Sequence, residues 1–334
     1  MNDSVAIRAI LILLFGSLTS SAFGQGTESL RTRPGNEGAP TVVQTAIFLV
    51  DVREIDGARQ TFSADVFVRL RWMDPRLAST EGLRVLQANA AWNPNIQIVN
   101  RVAVQTTLPE VLEVDPDGNV MYRQRFIGQF SCSLDLRAFP FDRQAFPIVI
   151  VALGFSPKDV QFMKDNDTGM SARLSITDWE VASWDAKPNP YQVALSSRSL
   201  AGYRFEFHAA RYFYFFLVQI IIPMSLILGM SWIVFWLDPN QAGPRISISI
   251  TSMLTTVAYR LLLGNFIPRL SFLTRMDYFV FSCTFLVFLS LVTVVTISRL
   301  QIAQKEASAN KLNSHCRWVF PALFLLVLCF CFVL

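Results

Sequence analysis

Ser247, Thr251, Leu254, Ala258 and Leu261 recur at steps of four, three, four and three residues, which places them along one face of an α-helix. Such a row offers no nucleophile and no metal ligand set; its chemistry is contact with water. Hydroxyl oxygens can touch hydrated ions, and leucines can narrow or dewet a passage. The row reads as the wall of an aqueous pore. One such helix cannot enclose a channel, so several copies must surround an axis. The plainer alternative is that these small residues pack a static helix bundle. Ser249, Ser252, Thr255 and Thr256 lie off the row and keep both readings open.

Bond-making chemistry finds little support. The only histidines, His208 and His315, are far apart in sequence and have no metal-ligand cluster around them. No catalytic triad or phosphate loop is present, and neither a metal nor a cofactor is expected. A net charge of +4 with no basic run argues against nucleic acid as a partner. A transporter would carry internal repeats or broken helices with charges inside the membrane, whereas here Arg260 stands alone.

The elements that must position the row are unevenly distributed. Hydrophobic residues make up 52% of the 334 positions, above the soluble range of about 45–50%, and they concentrate after residue 211. Tyr212–Leu237 has no charge over 26 residues and carries Tyr212, Tyr214, Trp232 and Trp236 near its ends, as a span with interfacial aromatics would. Pro223 can kink it. Further spans are expected at Arg245–Phe266, Tyr278–Ser298 and Trp318–Leu334, with a linker of roughly twenty residues before the last. Arg260 in the second is tolerable in a protein crevice or if it snorkels outward.

Ahead of the spans, Asp3 and Arg8 precede the apolar run Ala9–Phe15 and the small-residue stretch Gly16–Gly24. This is secretory signal grammar for residues 1–24, with cleavage after Ala22 or Gly24. A flexible leader is expected over 25–40. An exported N-terminus and four spans put Arg299, Lys305, Lys311 and Arg317 on the cytoplasmic side, in keeping with the positive-inside bias.

From Thr41 the pattern is β. Phe62, Ala64, Val66, Val68, Leu70 and Trp72 alternate with Ser63, Asp65, Phe67, Arg69 and Arg71, one face for a core and one for water or a neighbouring subunit. Phe67 interrupts the polar face. Other strands are expected at Ala46–Val52, Ile96–Ala103, Val111–Val114, Asn119–Phe130, Phe146–Leu153, Asp178–Ser183 and Tyr203–Ala210. Asp115, Pro116, Asp117 and Gly118 form a turn signal between two of them. The expected fold is a β-sandwich extracellular domain over 41–210, followed by a four-helix transmembrane domain over 211–334.

One stretch is far more specific. Cys132 begins a loop that continues through Phe139, Pro140, Phe141, Asp142, Gln144 and Phe146, and it closely resembles the signature loop of the pentameric ligand-gated ion channels, the Cys-loop receptor superfamily. The resemblance extends in family order to Trp72 with Asp74, Trp92 with Pro94, Pro116-Asp117-Gly118, Arg211 before the first span, Pro223 within it, and Ser231-Trp232 with Phe235-Trp236 at its end. Asn265, Pro268 and Arg269 follow the second span. The chain looks like a bacterial member, because Phe146 replaces the second loop cysteine, leaving Cys132 unpaired, and because the last cytoplasmic linker is short.

The resemblance implies a homopentamer in a bacterial inner (cell) membrane that passes monovalent ions when a small-molecule ligand or protons act on the sheet domain, with membrane lipids around it. Ser247, Thr251, Leu254, Ala258 and Leu261 would line the pore, and Leu254 and Leu261 would gate it. Asp238, Gly243, Pro244 and Arg245 would form the selectivity region. Asp238 and the bacterial look favour cations, and an anion channel or a non-conducting receptor of the same fold are the alternatives. Pro140, Phe141, Asp142, Arg211 and Pro268 would couple sheet to membrane, the alternative for Asp142 and Arg211 being two solvated charges. Phe67, Arg69, Phe155, Tyr191 and Tyr203 would bind ligand, with Arg69 as countercharge, or would serve as ordinary sheet packing.

Overall fold

The computed structural model describes residues 30–35, 38–194, 198–264 and 270–332. The expected signal segment 1–24 and Pro268 lie outside these residues. The described part of the expected leader is held to the sheet domain. Leu30 O accepts from the Trp92 amide at 2.7 Å, Thr32 O accepts from Arg76 Nη2 at 2.8 Å, and Arg33 Nη1 donates to Ala39 O at 2.7 Å.

The long strands β1 (Thr41–Asp56) and β2 (Thr61–Met73) pair antiparallel, and the alternation in β2 buries Phe62, Ala64, Val66, Val68, Leu70 and Trp72. β3 (Arg84–Gln87), β4 (Ile96–Ile98), β5 (Arg101–Thr106), β6 (Val111–Val114) and β7 (Asn119–Ser131) follow. The turn into β7 needs its glycine: Gly118 sits at φ +84, and an added Cβ would lie 2.6 Å from Asp74 O. After the signature loop come β8 (Arg143–Ala152), β9 (Val160–Lys164), β10 (Gly169–Met170), β11 (Trp179–Pro188), the short pair β12 (Tyr191–Gln192) and β13 (Ser199–Leu200), and β14 (Gly202–Arg211).

One sheet runs β10-β1-β2-β7-β6-β3, with β5 also on β7 and β9 also on β1; the other runs β11-β14-β8-β4. Their inner faces meet through aromatic rings. Phe62 of β2 stacks on Phe130 of β7 and meets Phe146 of β8 and Phe207 of β14 edge-on, at centroid distances of 5.3 to 5.6 Å. The single strand expected over Ile96–Ala103 is two strands, one in each sheet. Asn100 lies at the crossing and ties both: its Nδ2 donates to Ser131 O and Pro147 O, each at 2.8 Å. A side chain that satisfies two sheets at once lets the chain change layers without stranding polar backbone.

Four long apolar helices follow: α1 (Tyr214–Ile233), α2 (Ala242–Leu263), α3 (Arg275–Ile302) and α4 (Glu306–Phe332). Each is long and apolar enough to cross a membrane. In α1 the residues Leu217–Ile221 widen into a π-helical turn just before Pro223. Pro223 has no N–H, so Gln219 O lacks its α-helical donor; the Tyr259 hydroxyl of α2 donates to it instead. The largest departure from the sequence reading is α4. It begins at Glu306, not Trp318, and only residues 303–305 separate it from α3. Hydropathy stops at the membrane surface, but helix-favouring residues continue through a buried stripe of Ala309, Asn313, Cys316 and Phe320.

Candidate functional site

The five residues of the α2 row all stand exposed in the single chain, with Leu254 at 65% and Leu261 at 77%. The opposite face is shut: Arg245, Ser249, Ser252, Thr256 and Leu263 are buried. Two residues of α-helix turn through about 200°, so Ser247 and Arg245, or Ser249 and Thr251, necessarily face apart. The helix therefore turns its hydroxyl-and-leucine side away from its three sibling helices. The off-row hydroxyls are internal: Ser249, Ser252 and Thr256 donate to carbonyls four residues earlier, at 2.8 to 3.0 Å. Thr251 also donates backwards, to Ser247 O at 2.9 Å, which commits its proton and leaves oxygen lone pairs on the open side.

At the start of α2, Gly243, Pro244 and the preceding Asp238 are exposed. Arg245 is not with them. Its guanidinium is wholly buried, with Nε donating to Val234 O at 3.0 Å and Nη2 to Asn313 Oδ1 at 2.5 Å. The helix phase that exposes Ser247 turns Arg245 into the bundle, and of the expected selectivity region Asp238, Gly243 and Pro244 stand on the surface. Arg260 lies over the Phe281 ring of α3 at 4.3 Å from its centroid, a cation–π contact that keeps the charge beside protein.

Of the expected coupling residues, Pro140, Phe141, Asp142 and Arg211 lie where the sheets meet the helices. Arg211 ends β14, three residues before α1. Its Nε donates to Asp142 Oδ1 at 2.9 Å and its Nη2 to Oδ2 at 3.3 Å, and both side chains are nearly inaccessible, at 9% and 1%. The solvated-charge alternative is thereby excluded. Rings enclose the guanidinium, Trp179 at 4.1 Å and Phe139 at 4.9 Å. Pro140 follows Phe139 through a cis peptide, and Phe141 beyond it packs against Phe213 ahead of α1 and Phe332 at the end of α4. Phe139 also meets Phe216 of α1 at 4.8 Å. The amide of Arg275, opening α3, donates to Arg137 O of the same loop at 3.0 Å. Cys132 is an unpaired, buried cysteine whose thiol is pushed up to about 12 by burial. Phe146 fills core space, stacked on Phe207 at 4.9 Å.

The ligand-binding candidates do not gather in one place. Phe67 and Arg69 share an open cavity of about 820 Å³ with Arg71, Met73, Met121 and Arg123 on the outer face of the larger sheet. Arg69 is paired with Asp165 at 3.0 Å and with Asp167, acids with which a ligand anion would have to share it. Phe155 packs edge-on against Trp92 at 5.6 Å, and Tyr191 is exposed on the β12–β13 hairpin. Tyr203 is fully buried, edge-on to Phe162, with burial pushing its phenol up to about 12. Its side chain lies in the core between the sheets.

Two family models match the chain: the neurotransmitter-gated ion-channel ligand binding domain over residues 28–211 and the neurotransmitter-gated ion-channel transmembrane region over 220–313. The chain belongs to the neurotransmitter-gated ion-channel family. Among its relatives is a proton-gated ion channel of Gloeobacter violaceus, 26% identical over 326 residues, covering 96% of this chain and 90% of the relative. A theta subunit of the mouse γ-aminobutyric acid receptor is 26% identical over 83% of this chain, and a human gamma-3 subunit is 24% identical over 86%. The chain spans only 45% and 65% of the lengths of those two receptor subunits. The family assignment makes the sheet domain a ligand-binding module, the helices a channel region, and the chain a ligand-gated channel rather than an enzyme.

Several residues of this channel escaped the sequence reading. Trp179, over Arg211, was one bulky residue among many. Asp165 and Asp167, which neutralise Arg69, are about a hundred positions away from it. Asn313 and Arg317 join Arg245 at the far end of α1; the four-three-four spacing of Ala309, Asn313, Cys316 and Phe320 was the signal that could have found them.

Proposed function

We propose that the channel is a homopentamer in a bacterial inner membrane, its sheet domain on the periplasmic or outer side, passing monovalent cations along the α2 faces. The observation that carries this reading is the exposed row Ser247, Thr251, Leu254, Ala258 and Leu261, which a lone chain leaves facing nothing. Leu254 and Leu261 form the dewetting gate, and Ser247 and Thr251 shape the narrow end. Cation preference is supported by the exposed Asp238, by the acceptor oxygen Thr251 presents, and by the withdrawal of Arg245 from the mouth.

The buried Asp142–Arg211 pair with Pro140 and Phe141 transmits motion of the sheets to α1 and α4, joined by Pro268 on sequence grounds. A ligand sits between subunits, with Phe67 and its cavity on one and Phe155 and Tyr191 on the next. The Gloeobacter relative is named for proton gating, and its match over nearly the whole chain supports protons as one stimulus; the cavity beside Phe67 supports a small molecule as the other. The purified channel in planar bilayers under a salt gradient tests both. Discrete current steps reversing near the potassium equilibrium potential, and responding to pH or ligand, are expected. Reversal near the chloride potential overturns cation selectivity, and silence across both screens overturns conduction.

A further inference from the structure

The signature loop has no covalent closure. Cys132 is the one cysteine of residues 25–210 and is free, so no disulfide within the sheet domain holds the loop's two ends together. Two glutamine side chains stand where that closure is needed. Gln60 ends the turn between β1 and β2 with φ at +56, a left-handed conformation uncommon outside glycine. Beside it the β2–β7 ladder runs out: Thr61 pairs with Ser131, the Cys132 amide donates to Gln60 O at 2.9 Å, and the backbone then turns away. The Gln60 side chain continues the ladder in its place. Its Oε1 accepts from the Leu134 amide at 2.6 Å, while its Nε2 donates to Gly57 O at 2.8 Å and holds the turn.

Across the loop, Gln144 treats Asp135 as a neighbouring strand would. Its Nε2 donates to Asp135 O at 2.6 Å, and its Oε1 accepts from the Asp135 amide at 3.2 Å. The same Nε2 donates to Asp142 Oδ2 at 3.1 Å, the oxygen that also receives Arg211 Nη2. Gln144, Leu134 and Leu136 are buried, so the loop backbone beside them depends on these amides for its hydrogen bonds. One line of contacts runs from the β1–β2 turn through Gln60, residues 132–135 and Gln144 to Asp142, and from there to Arg211 ahead of α1.

We propose that Gln60 and Gln144 are positioning residues for gating: their side-chain amides close the signature loop in place of a disulfide and aim Asp142 at Arg211. This rests on the reading of Asp142 and Arg211 as the transmitting pair. A clasp of hydrogen bonds, unlike a covalent bridge, can part and re-form as the sheets move.

Cys132 reports on the clasp, because it lies at the base of the loop and is only 7% exposed. The full-length protein in detergent is labelled with maleimide, and Cys132 is followed by mass spectrometry. Gln60→Gly suits the backbone and removes only the side chain; it should speed labelling by about tenfold. Gln60→Glu keeps the acceptor for Leu134 and should stay within about twofold of the parent. Equal labelling of the parent and Gln60→Gly overturns the closure, as does Gln60→Glu labelling as fast as Gln60→Gly. In the parent, which needs no variant to fold, the Leu134 and Asp135 amides should exchange with deuterium as slowly as the Cys132 amide; fast exchange overturns the clasp. Repeating the labelling on Asp142→Asn reads the positioning. Gln60→Gly should add less there than in the parent, whereas the same factor in both makes Gln60 a local brace and overturns its action through Asp142. In planar bilayers stepped in pH, Gln60→Gly should shift the midpoint of the current response by about fivefold in proton concentration with unitary conductance unchanged. An unshifted midpoint overturns the gating role. A parent silent at every pH overturns the proton stimulus proposed above, and labelling and exchange then decide the positioning alone.

Discussion

Two arginines mark the two ends of α1, and they are buried by opposite means. Arg211, at the end that meets the sheets, has a carboxylate and two aromatic rings around it. Arg245, at the far end, has one backbone carbonyl and one side-chain amide as hydrogen-bond partners and no carboxylate in ion-pair contact among the described residues. The first is a closed electrostatic unit, needing nothing from outside the chain. The second is held by neutral partners, Val234 O and Asn313 Oδ1, with the exposed Asp238 acting only from a distance. One end is built to hold two parts of the protein together, the other to hold helices of one bundle.

The strongest way to break this contrast is Asp142→Ala. It strands the Arg211 charge in a site that excludes water, and a loss of about 3–5 kcal/mol is expected, read as a fall in thermal or denaturant stability of the assembled protein. A loss below about 1 kcal/mol would mean that the rings alone suffice. The same variant should expose Cys132: in the parent its high thiol pKa and burial leave only exposed Cys329 open to maleimide at pH 8, and a second label should appear once the junction loosens.

At the other end, Asn313→Ala removes an acceptor from Arg245 and a donor from Phe235 O, for an expected cost of about 1–3 kcal/mol. Asn313→Asp sharpens the comparison, since it hands Arg245 the carboxylate that Arg211 already has. Its melting temperature should exceed that of Asn313→Ala, because the carboxylate keeps the acceptor for Arg245 Nη2 although the donor to Phe235 O is lost. A melting temperature no higher than that of Asn313→Ala would show that a carboxylate does not close this end as Asp142 closes the other. Tyr259→Phe, removing the hydroxyl that serves Gln219 O, should cost about 1 kcal/mol in the same melts. Leu254→Ser on the open face should change stability by no more than about 0.5 kcal/mol while raising open probability in bilayer recordings; unaltered gating counts against Leu254 as the gate.

Much of this was legible in the sequence where one periodicity dominates. The β2 alternation and the four apolar runs were read directly, because each run repeats one burial rule over many residues. The α2 row was legible too, although its exposure needed the packed bundle. What stayed hidden is what depends on partners distant in sequence. Asn100 splits one strand into two because it serves both sheets. Residues 306–317 of α4 are polar, and a hydropathy reading ends the helix at the water line. Tyr203 and Tyr191 are the same residue type twelve positions apart, yet one is core and the other surface. Arg245 looked like a mouth residue because its position beside Gly243 and Pro244 is visible, whereas the phase of its side chain is set by the helix as a whole.

The fourth helix is built as a strut. Phe332 rests on Phe141 at one end, and Arg317 grips the Phe235 carbonyl at the other. About 22 Å of helix lies between these two holds, and a helix neither stretches nor shortens. When the surrounding bilayer thins or thickens, α4 can accommodate only by leaning, and any lean is delivered to the signature loop at one end and to the corner between α1 and α2 at the other.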